Sequence, residues 1–126
     1  MTRVADTSAL YALFSEDARF QERATRDLRD PDPIMIPTEV LAETVDLLAY
    51  RFRYPAAAKA LDFLLRLPHV GIADRVEVSA VKAIYDRARG ALSLADAFVV
   101  QTCLALGADA LAYDEAIRRA LRRRSP

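Results

Sequence analysis

The stretch that decides the fold is Met1-Thr-Arg-Val-Ala-Asp-Thr-Ser-Ala-Leu10. Within it a very short apolar segment, Val4-Ala5, runs into Asp6, and an apolar helical pattern begins after Thr7 and Ser8. This pattern predicts a buried strand that delivers a carboxylate to its C-terminal end, where open α/β sheets bind their ligands. Asp, Thr and Ser are also favoured at helix N-caps, so Asp6 taken alone is explained as a cap. A functional interpretation therefore requires other acids at the same edge.

The rest of the chain alternates short apolar runs with helical periodicities. Three further strands are predicted at 34–36, 69–73 and 110–113. Seven helices are predicted at about 8–14, 17–29, 39–52, 56–67, 74–88, 92–106 and 115–123. The resulting order, β-α-α-β-α-α-β-α-α-β-α, implies a parallel sheet covered by helices on both faces, with right-handed crossovers. We therefore predict an α/β protein, a three-layer α/β/α sandwich with a short central parallel sheet.

Length and composition predict a single domain over residues 1–126. The chain is 53% hydrophobic, which suffices for a buried core and argues against disorder. No apolar run is long enough to span a bilayer, and no signal-peptide core follows Met1. The single cysteine, Cys103, excludes an internal disulfide and favours a reducing compartment. We therefore expect a cytoplasmic protein without a membrane partner.

The charge balance gives no general argument for a nucleic-acid partner, because 18 basic and 18 acidic residues cancel. Arginine strongly outnumbers lysine, which suits phosphate contact, but a GC-rich coding bias is the simpler explanation. Two local basic segments stand out, Arg51-Phe-Arg-Tyr54 and Arg122-Arg-Arg124. We interpret the first as a helix C-terminus whose cations complement the helix dipole, and the second as a solvated tail.

Four acids are predicted to meet at the C-terminal edge of the sheet. Asp6 and Asp114 each follow an apolar strand, and Glu43 lies one turn into the helix after the second strand. Asp96 lies in the first turn of a helix that is apolar on nearly every face, which places it at the same edge. Like Asp6, two more of these positions have structural alternatives, because Glu43 fits a solvated flank and Ser93 with Asp96 fits a capping box.

Carboxylates that converge on one place limit the chemistry that the site can support. Like charges gather only if their pKa values rise or a cation lies among them. Oxygen ligands suit Mg²⁺ or Mn²⁺, whereas one histidine, His69, and one cysteine, Cys103, do not provide a zinc site or a nucleophile–histidine pair. The remaining hypothesis is metal-assisted hydrolysis, most naturally of a phosphodiester.

Four motifs together resemble the PIN domain, and in particular the VapC-type ribonuclease toxins of bacterial toxin–antitoxin pairs. They are Val4-Ala-Asp-Thr-Ser-Ala-Leu10, Leu41-Ala-Glu43, Leu92-Ser-Leu-Ala-Asp-Ala97 and Tyr113-Asp114, and they span essentially the whole chain. The resemblance implies an α/β/α sandwich that cleaves RNA with Mg²⁺ or Mn²⁺. It also implies a homodimer that a small cognate antitoxin inhibits.

The resemblance also implies roles for individual residues. The acidic positions of the family correspond to Asp6, Glu43, Asp96 and Asp114, which would act as metal ligands and catalytic residues. Ser8 corresponds to a small hydroxyl residue that supports the site. Many relatives carry Thr or Ser two residues before the last acid, whereas this chain has Ala112, which puts the local support of Asp114 in question.

Two other functions remain as alternatives. A phosphoacceptor domain also uses acids at strand ends with Mg²⁺, but a receiver would need a lysine after its last strand, and Lys59 and Lys82 are misplaced. The dehalogenase type needs a second aspartate two residues after the first, where this chain has Ser8. A catalytically inactive binding module that keeps the fold would not need all four acids together.

Overall fold

The computed structural model describes residues 1–124 and gives the element order predicted from the sequence. The strands of this part of the chain are β1 (Arg3–Ala5), β2 (Ile34–Pro37), β3 (Val70–Ala73) and β4 (Asp109–Leu111). Its helices are α1 (Thr7–Ala12), α2 (Ala18–Arg29), α3 (Thr38–Phe52), α4 (Tyr54–Arg66), α5 (Val78–Ala88), α6 (Leu94–Leu106) and α7 (Glu115–Arg124). No helix within residues 1–124 combines the length and the apolarity needed to cross a bilayer.

All strand pairs are parallel, and the strands lie in the order β3-β2-β1-β4. The central strand β1 pairs with β2 through Arg3 and Ile34, and with β4 through Ala5 and Leu111. Because parallel strands end at one edge, Asp6 emerges in the middle of that edge, between the links that follow β2 and β4. The predicted α/β/α fold with a short parallel sheet is confirmed.

The core explains why such short strands are stable. Val4 and Ala5 point to opposite faces of β1 and are fully buried, so both faces of this strand are covered, while Ile34 and Ile36 bury one face of β2. Helix α6 packs against β1, β2 and β4. Its buried residues include Cys103, which confirms that this cysteine is a small core residue. A smaller cluster of Leu48, Ala57 and Ala60 lies between α3 and α4.

Three details of the sequence interpretation were wrong. Helix α5 begins at Val78, not at Asp74, because residues 74–77 form an irregular link in which Val76 packs against the core. The apolar periodicity of residues 39–52 and 56–67 predicts that Leu47 and Leu65 face inward, whereas they are 43% and 54% exposed. In α3 the buried stripe follows Val40, Thr44 and Leu48, and Thr44 is tolerated there because its hydroxyl donates to the Val40 carbonyl oxygen. Leu47 does not belong to this buried stripe and remains exposed.

The last strand was also predicted too long. β4 ends at Leu111, so Asp114 lies three residues beyond the strand and not directly after it. Asp6, in contrast, follows β1 immediately. The two acids therefore have different local surroundings, although each precedes a helix.

Candidate functional site

All four predicted acids line one cavity of about 620 Å³ at the C-terminal edge of the sheet. They come from four places in the chain: the β1–α1 junction, α3, the first turn of α6 and the β4–α7 link. Ser8 and Ser93 line the same cavity, together with Leu47 and Tyr113. The exposed position of Leu47 is thus explained, because it forms part of the wall of this cavity.

Asp6 is the most buried of the four acids, at 2% exposure. Its Oδ1 accepts hydrogen bonds from the Ser8 hydroxyl at 2.7 Å and from the Ala9 backbone N–H at 3.0 Å. Asp6 is therefore the N-cap of α1, as the structural interpretation predicted. Both hydrogen bonds fall on Oδ1, so capping leaves Oδ2 available to another partner.

The electrostatics of the cavity follow from burial and crowding. Burial raises the pKa of Asp6 from 3.8 to about 6, the hydrogen bonds from Ser8 and Ala9 oppose this rise, and the charges of Asp96 and Asp114 add to it. The pKa of Asp96 is also raised, first by burial and then by Asp114 and Glu43. Within residues 1–124, none of the four carboxylates forms an ion pair with a basic side chain. The acids therefore repel one another, and no basic side chain of the described residues offsets their charge.

Two of the acids are held by local hydrogen bonds. The Thr7 hydroxyl donates to Glu43 Oε1 at 2.5 Å, which ties the start of α1 to α3. Ser93 and Asp96 form the predicted capping box: the Ser93 N–H donates to Asp96 Oδ2 at 3.3 Å, and the Asp96 N–H donates to Ser93 Oγ at 3.1 Å. Capping thus holds Asp96 in the first turn of α6, on the wall of the cavity.

The support of Asp114 does not come from a hydroxyl side chain at position 112, because that residue is Ala112. Ser8 Oγ accepts a hydrogen bond from the Tyr113 backbone N–H at 2.9 Å while its own proton goes to Asp6. The carbonyl oxygen of Ala112 accepts from Arg118 at 2.8 Å, and Asp114 Oδ1 caps α7 through the Ala116 N–H at 2.8 Å. Ser8 therefore supports the link before Asp114 as well as Asp6.

Sequence reasoning did not assign a role to Tyr113 beyond its place in a motif. Its hydroxyl donates to Asp27 Oδ2 at 2.5 Å, and the guanidinium of Arg23 lies 4.0 Å from the centre of its ring. Burial, and then the hydrogen bond to Asp27, raise the pKa of Tyr113, so the hydroxyl keeps its proton and remains a donor. Asp27 is 86 residues away in sequence, and no local pattern indicates such a pairing.

The remaining polar segments lie outside the cavity. Arg51 forms an exposed ion pair with Glu16, and none of residues 51–54 lines the site. Arg122 pairs with Glu115, while the side chain of Arg124 lies outside the described residues. His69, placed at the start of the predicted strand 69–73, lies in the loop before β3 with its Nε2 2.6 Å from the Leu28 carbonyl oxygen.

The donor set fits a hard divalent cation. The cavity offers four carboxylates with hydroxyl groups beside them, and it includes neither His69 nor Cys103. Asp6 is a buried acid without a basic partner in residues 1–124, which is the situation that a bound cation would relieve. In the same part of the chain, no three His, Cys, Asp or Glu side chains are close enough together to form a preformed metal site. The carboxylates would have to draw together around the ion.

The fold and the four acids define a known class of protein: the chain belongs to the PIN domain family, whose sequence model matches residues 3–122. Its structure is similar to that of VapC20 from Mycobacterium tuberculosis, described as a Sarcin-Ricin loop cleaving toxin, with a TM-score of 0.77. The two chains share 25% identity, and the match covers 95% of each. No curated protein sequence gives a significant match. The resemblance indicated by the four sequence motifs is confirmed.

Proposed function

We propose that the protein is a metal-dependent endoribonuclease and the toxin of a toxin–antitoxin pair. The observation that carries this proposal is the convergence of Asp6, Glu43, Asp96 and Asp114 on one cavity without a basic partner in residues 1–124. Membership of the PIN family and similarity to an RNA-cleaving toxin support the same function. We further propose that residues 1–126 form a single domain, that it acts as a homodimer in the cytoplasm, and that a small antitoxin inhibits it.

The four acids would hold Mg²⁺ or Mn²⁺, with Asp6 at the centre. When bound, the metal supplies an activated water and neutralises charge that develops on the phosphodiester. Asp6 contributes a carboxylate whose orientation is fixed by Ser8 and the Ala9 N–H. Thr7 orients Glu43, and Ser93 holds Asp96 in the first turn of α6. Asp114 is the most exposed of the four, and its Oδ1 is held by the Ala116 N–H.

The experiment measures cleavage of single-stranded and structured RNA by purified protein. Cleavage should require Mg²⁺ or Mn²⁺ and stop when EDTA is added. Asp6→Asn should lose nearly all cleavage, because Asn keeps the cap but removes the negative charge. The matched control is Asp109→Asn, an exposed acid at the first residue of β4, which should cleave as the wild type does. Cleavage that continues undiminished in EDTA would contradict the mechanism.

The phosphoacceptor alternative is not favoured by the geometry. Lys82 pairs with Asp86 on the surface of α5, and Lys59 lies in α4, so neither lysine reaches the cavity. Ser8, in place of a second aspartate, is engaged with Asp6 and Tyr113. Acid-labile phosphate on Asp6 after exposure to a phosphodonor would revive this alternative.

A further inference from the structure

A second cavity, of about 330 Å³, lies between α5, α7 and the loop that precedes α6. Small and apolar side chains form most of its wall, and Arg87, Arg119 and Arg123 also line it. We call this cavity the arginine groove. The apolar residues that line it are Ile84, Ala88, Ala91, Leu92, Ala116 and Ala120.

The three arginines of the groove are exposed, and no Asp or Glu of the described residues 1–124 lines it. Among residues 1–124 none of the three has an ion pair or a side-chain hydrogen bond. Their neighbours on α7 differ, because Arg118 donates to the Ala112 carbonyl oxygen and Arg122 pairs with Glu115. In a chain whose net charge is zero, three unpaired arginines in one groove concentrate positive charge locally. The groove therefore fits a ligand that carries several negative charges along its length.

The arginine groove adjoins the cavity that holds the four acids. Ala116, which lines the groove, donates its N–H to Asp114. On the other side, Leu92 lines the groove and directly precedes Ser93, which caps Asp96. Seven residues separate Ala116 from Arg123, so the groove extends about 10 Å along α7 from the acidic cavity. A strand that leaves the acidic cavity beside Asp96 and Asp114 would enter the groove directly.

We infer that the arginine groove binds the phosphate backbone of the RNA strand on one side of the bond that is cut, an inference that rests on the proposed endoribonuclease function. Guanidinium groups bind phosphate oxygens through paired hydrogen bonds, and their charge attracts any sequence equally. The small apolar residues of the wall leave room for a ribose or a base face between the arginines. The position of the groove beside the acidic cavity favours RNA over an acidic protein segment, because the strand that is cut must pass the four carboxylates.

The test compares two triple variants that remove the same charge. Arg87→Gln, Arg119→Gln and Arg123→Gln together neutralise the groove. Arg29→Gln, Arg66→Gln and Arg75→Gln form the control, because these arginines are exposed and line neither cavity. Binding of a fluorescein-labelled 20-nucleotide RNA of random sequence is measured by anisotropy in EDTA, over a range of salt concentrations. Cleavage of the same RNA is measured with Mn²⁺.

The groove variant should raise the Kd of this RNA at least about tenfold, and the control variant should change it far less. The slope of log Kd against log salt concentration should fall by about 2, since each phosphate contact contributes about 0.7 on a single strand. In cleavage, KM should rise and kcat should stay within about twofold, because the carboxylates are untouched. Should the triple variant fail to fold by circular dichroism, Arg87→Gln and Arg119→Gln alone should each lower the slope by about 0.7.

Three results would overturn the inference or separate it from the proposed function. Equal changes of Kd and slope in both triple variants would mean that only total charge matters, and the groove would not be a subsite. Loss of binding to labelled polyglutamate with unchanged RNA binding would assign the groove to an acidic protein partner. If the wild type cuts no RNA with either metal, the proposed function fails, while the anisotropy comparison still decides whether the groove binds RNA.

Discussion

Asp6 both caps a helix and lines the acidic cavity, and its environment explains how the two roles coexist. The cap uses Oδ1 through Ser8 and Ala9, while burial and the neighbouring acids act on the whole carboxylate. The folded-state pKa of about 6 exceeds the ordinary value of 3.8, so the folded protein holds this proton more tightly than the unfolded chain does. The stability that Asp6 contributes is therefore complete below about pH 4, falls as the pH rises towards 6, and is lost above pH 6. Two pKa units correspond to about 3 kcal/mol.

The first prediction concerns Asp6→Asn without metal. Because Asn keeps an acceptor for Ser8 and Ala9 but carries no charge, the variant should melt several degrees above the wild type at pH 7.5. The difference should close near pH 4, where Asp6 of the wild type is protonated. Mn²⁺ should raise the melting temperature of the wild type and hardly change that of the variant, since binding to the folded state stabilises it.

Thermal melts at both pH values, with and without Mn²⁺, check this prediction. Asp109→Asn serves as the control and should follow the wild type throughout. A variant that melts well below the wild type, with equal shifts by Mn²⁺ in both proteins, would show that Asp6 is only a cap.

At the scale of elements, the link between β4 and α7 is held by partners from two distant elements. Ser8, in α1, accepts from the Tyr113 N–H, and Asp27, in α2, accepts from the Tyr113 hydroxyl. The guanidinium of Arg23, also in α2, lies over the Tyr113 ring. These contacts take the place of the hydroxyl that Ala112 lacks. We therefore expect Tyr113 to position Asp114.

The second prediction is that Tyr113→Phe weakens both the fold and the site. Removing the hydroxyl leaves the partly buried Asp27 without this donor, which should lower stability by about 1–2 kcal/mol. Asp114 would be held less firmly, and a displacement of this kind should lower kcat by about tenfold or more. Tyr50→Phe, at an 87% exposed position, is the control and should change neither quantity.

Chemical denaturation, steady-state cleavage and Mn²⁺ titration measure these effects. A purely structural tyrosine would lower stability but leave kcat and the Mn²⁺ affinity of the folded protein unchanged. That result would show that Tyr113 does not position Asp114.

At the scale of the whole molecule, a net charge of zero conceals two separated charge clusters. Four acids line one cavity, and three arginines line the adjoining groove. The natural counter-charge of the acidic cavity is a cation, and an arginine side chain is a bidentate partner for carboxylates. We therefore expect the antitoxin to inhibit by placing a basic side chain among the four acids.

The third prediction follows from this proposal. Expression of the protein alone should slow bacterial growth, and co-expression of a small neighbouring gene should relieve the effect. Asp6→Asn should not slow growth, because it does not hold the metal. Growth curves with matched expression levels provide the measurement. Equal growth with the active protein and with Asp6→Asn would argue against toxicity.

The sequence by itself determined the element order, the parallel α/β class and the four acids. These features are local or periodic: Val4-Ala5 before Asp6 predicts a buried strand end, and the apolar faces of residues 94–106 predict a central helix. Chain connectivity then places the acids at one edge, since parallel strands with helical crossovers all end on the same side. Capping of Asp96 by Ser93 was predictable for the same reason, because both partners lie within one turn.

Only the tertiary structure decided which residues support the acids and how strongly the acids interact. The pairs Thr7–Glu43, Ser8–Tyr113 and Tyr113–Asp27 join residues 36, 105 and 86 positions apart, and no sequence periodicity encodes such contacts. The raised pKa of Asp6 likewise depends first on burial by side chains that are distant in sequence. The arginine groove has the same origin, because Arg87 comes to line one cavity with Arg119 and Arg123 only when α5 and α7 both pack against α6.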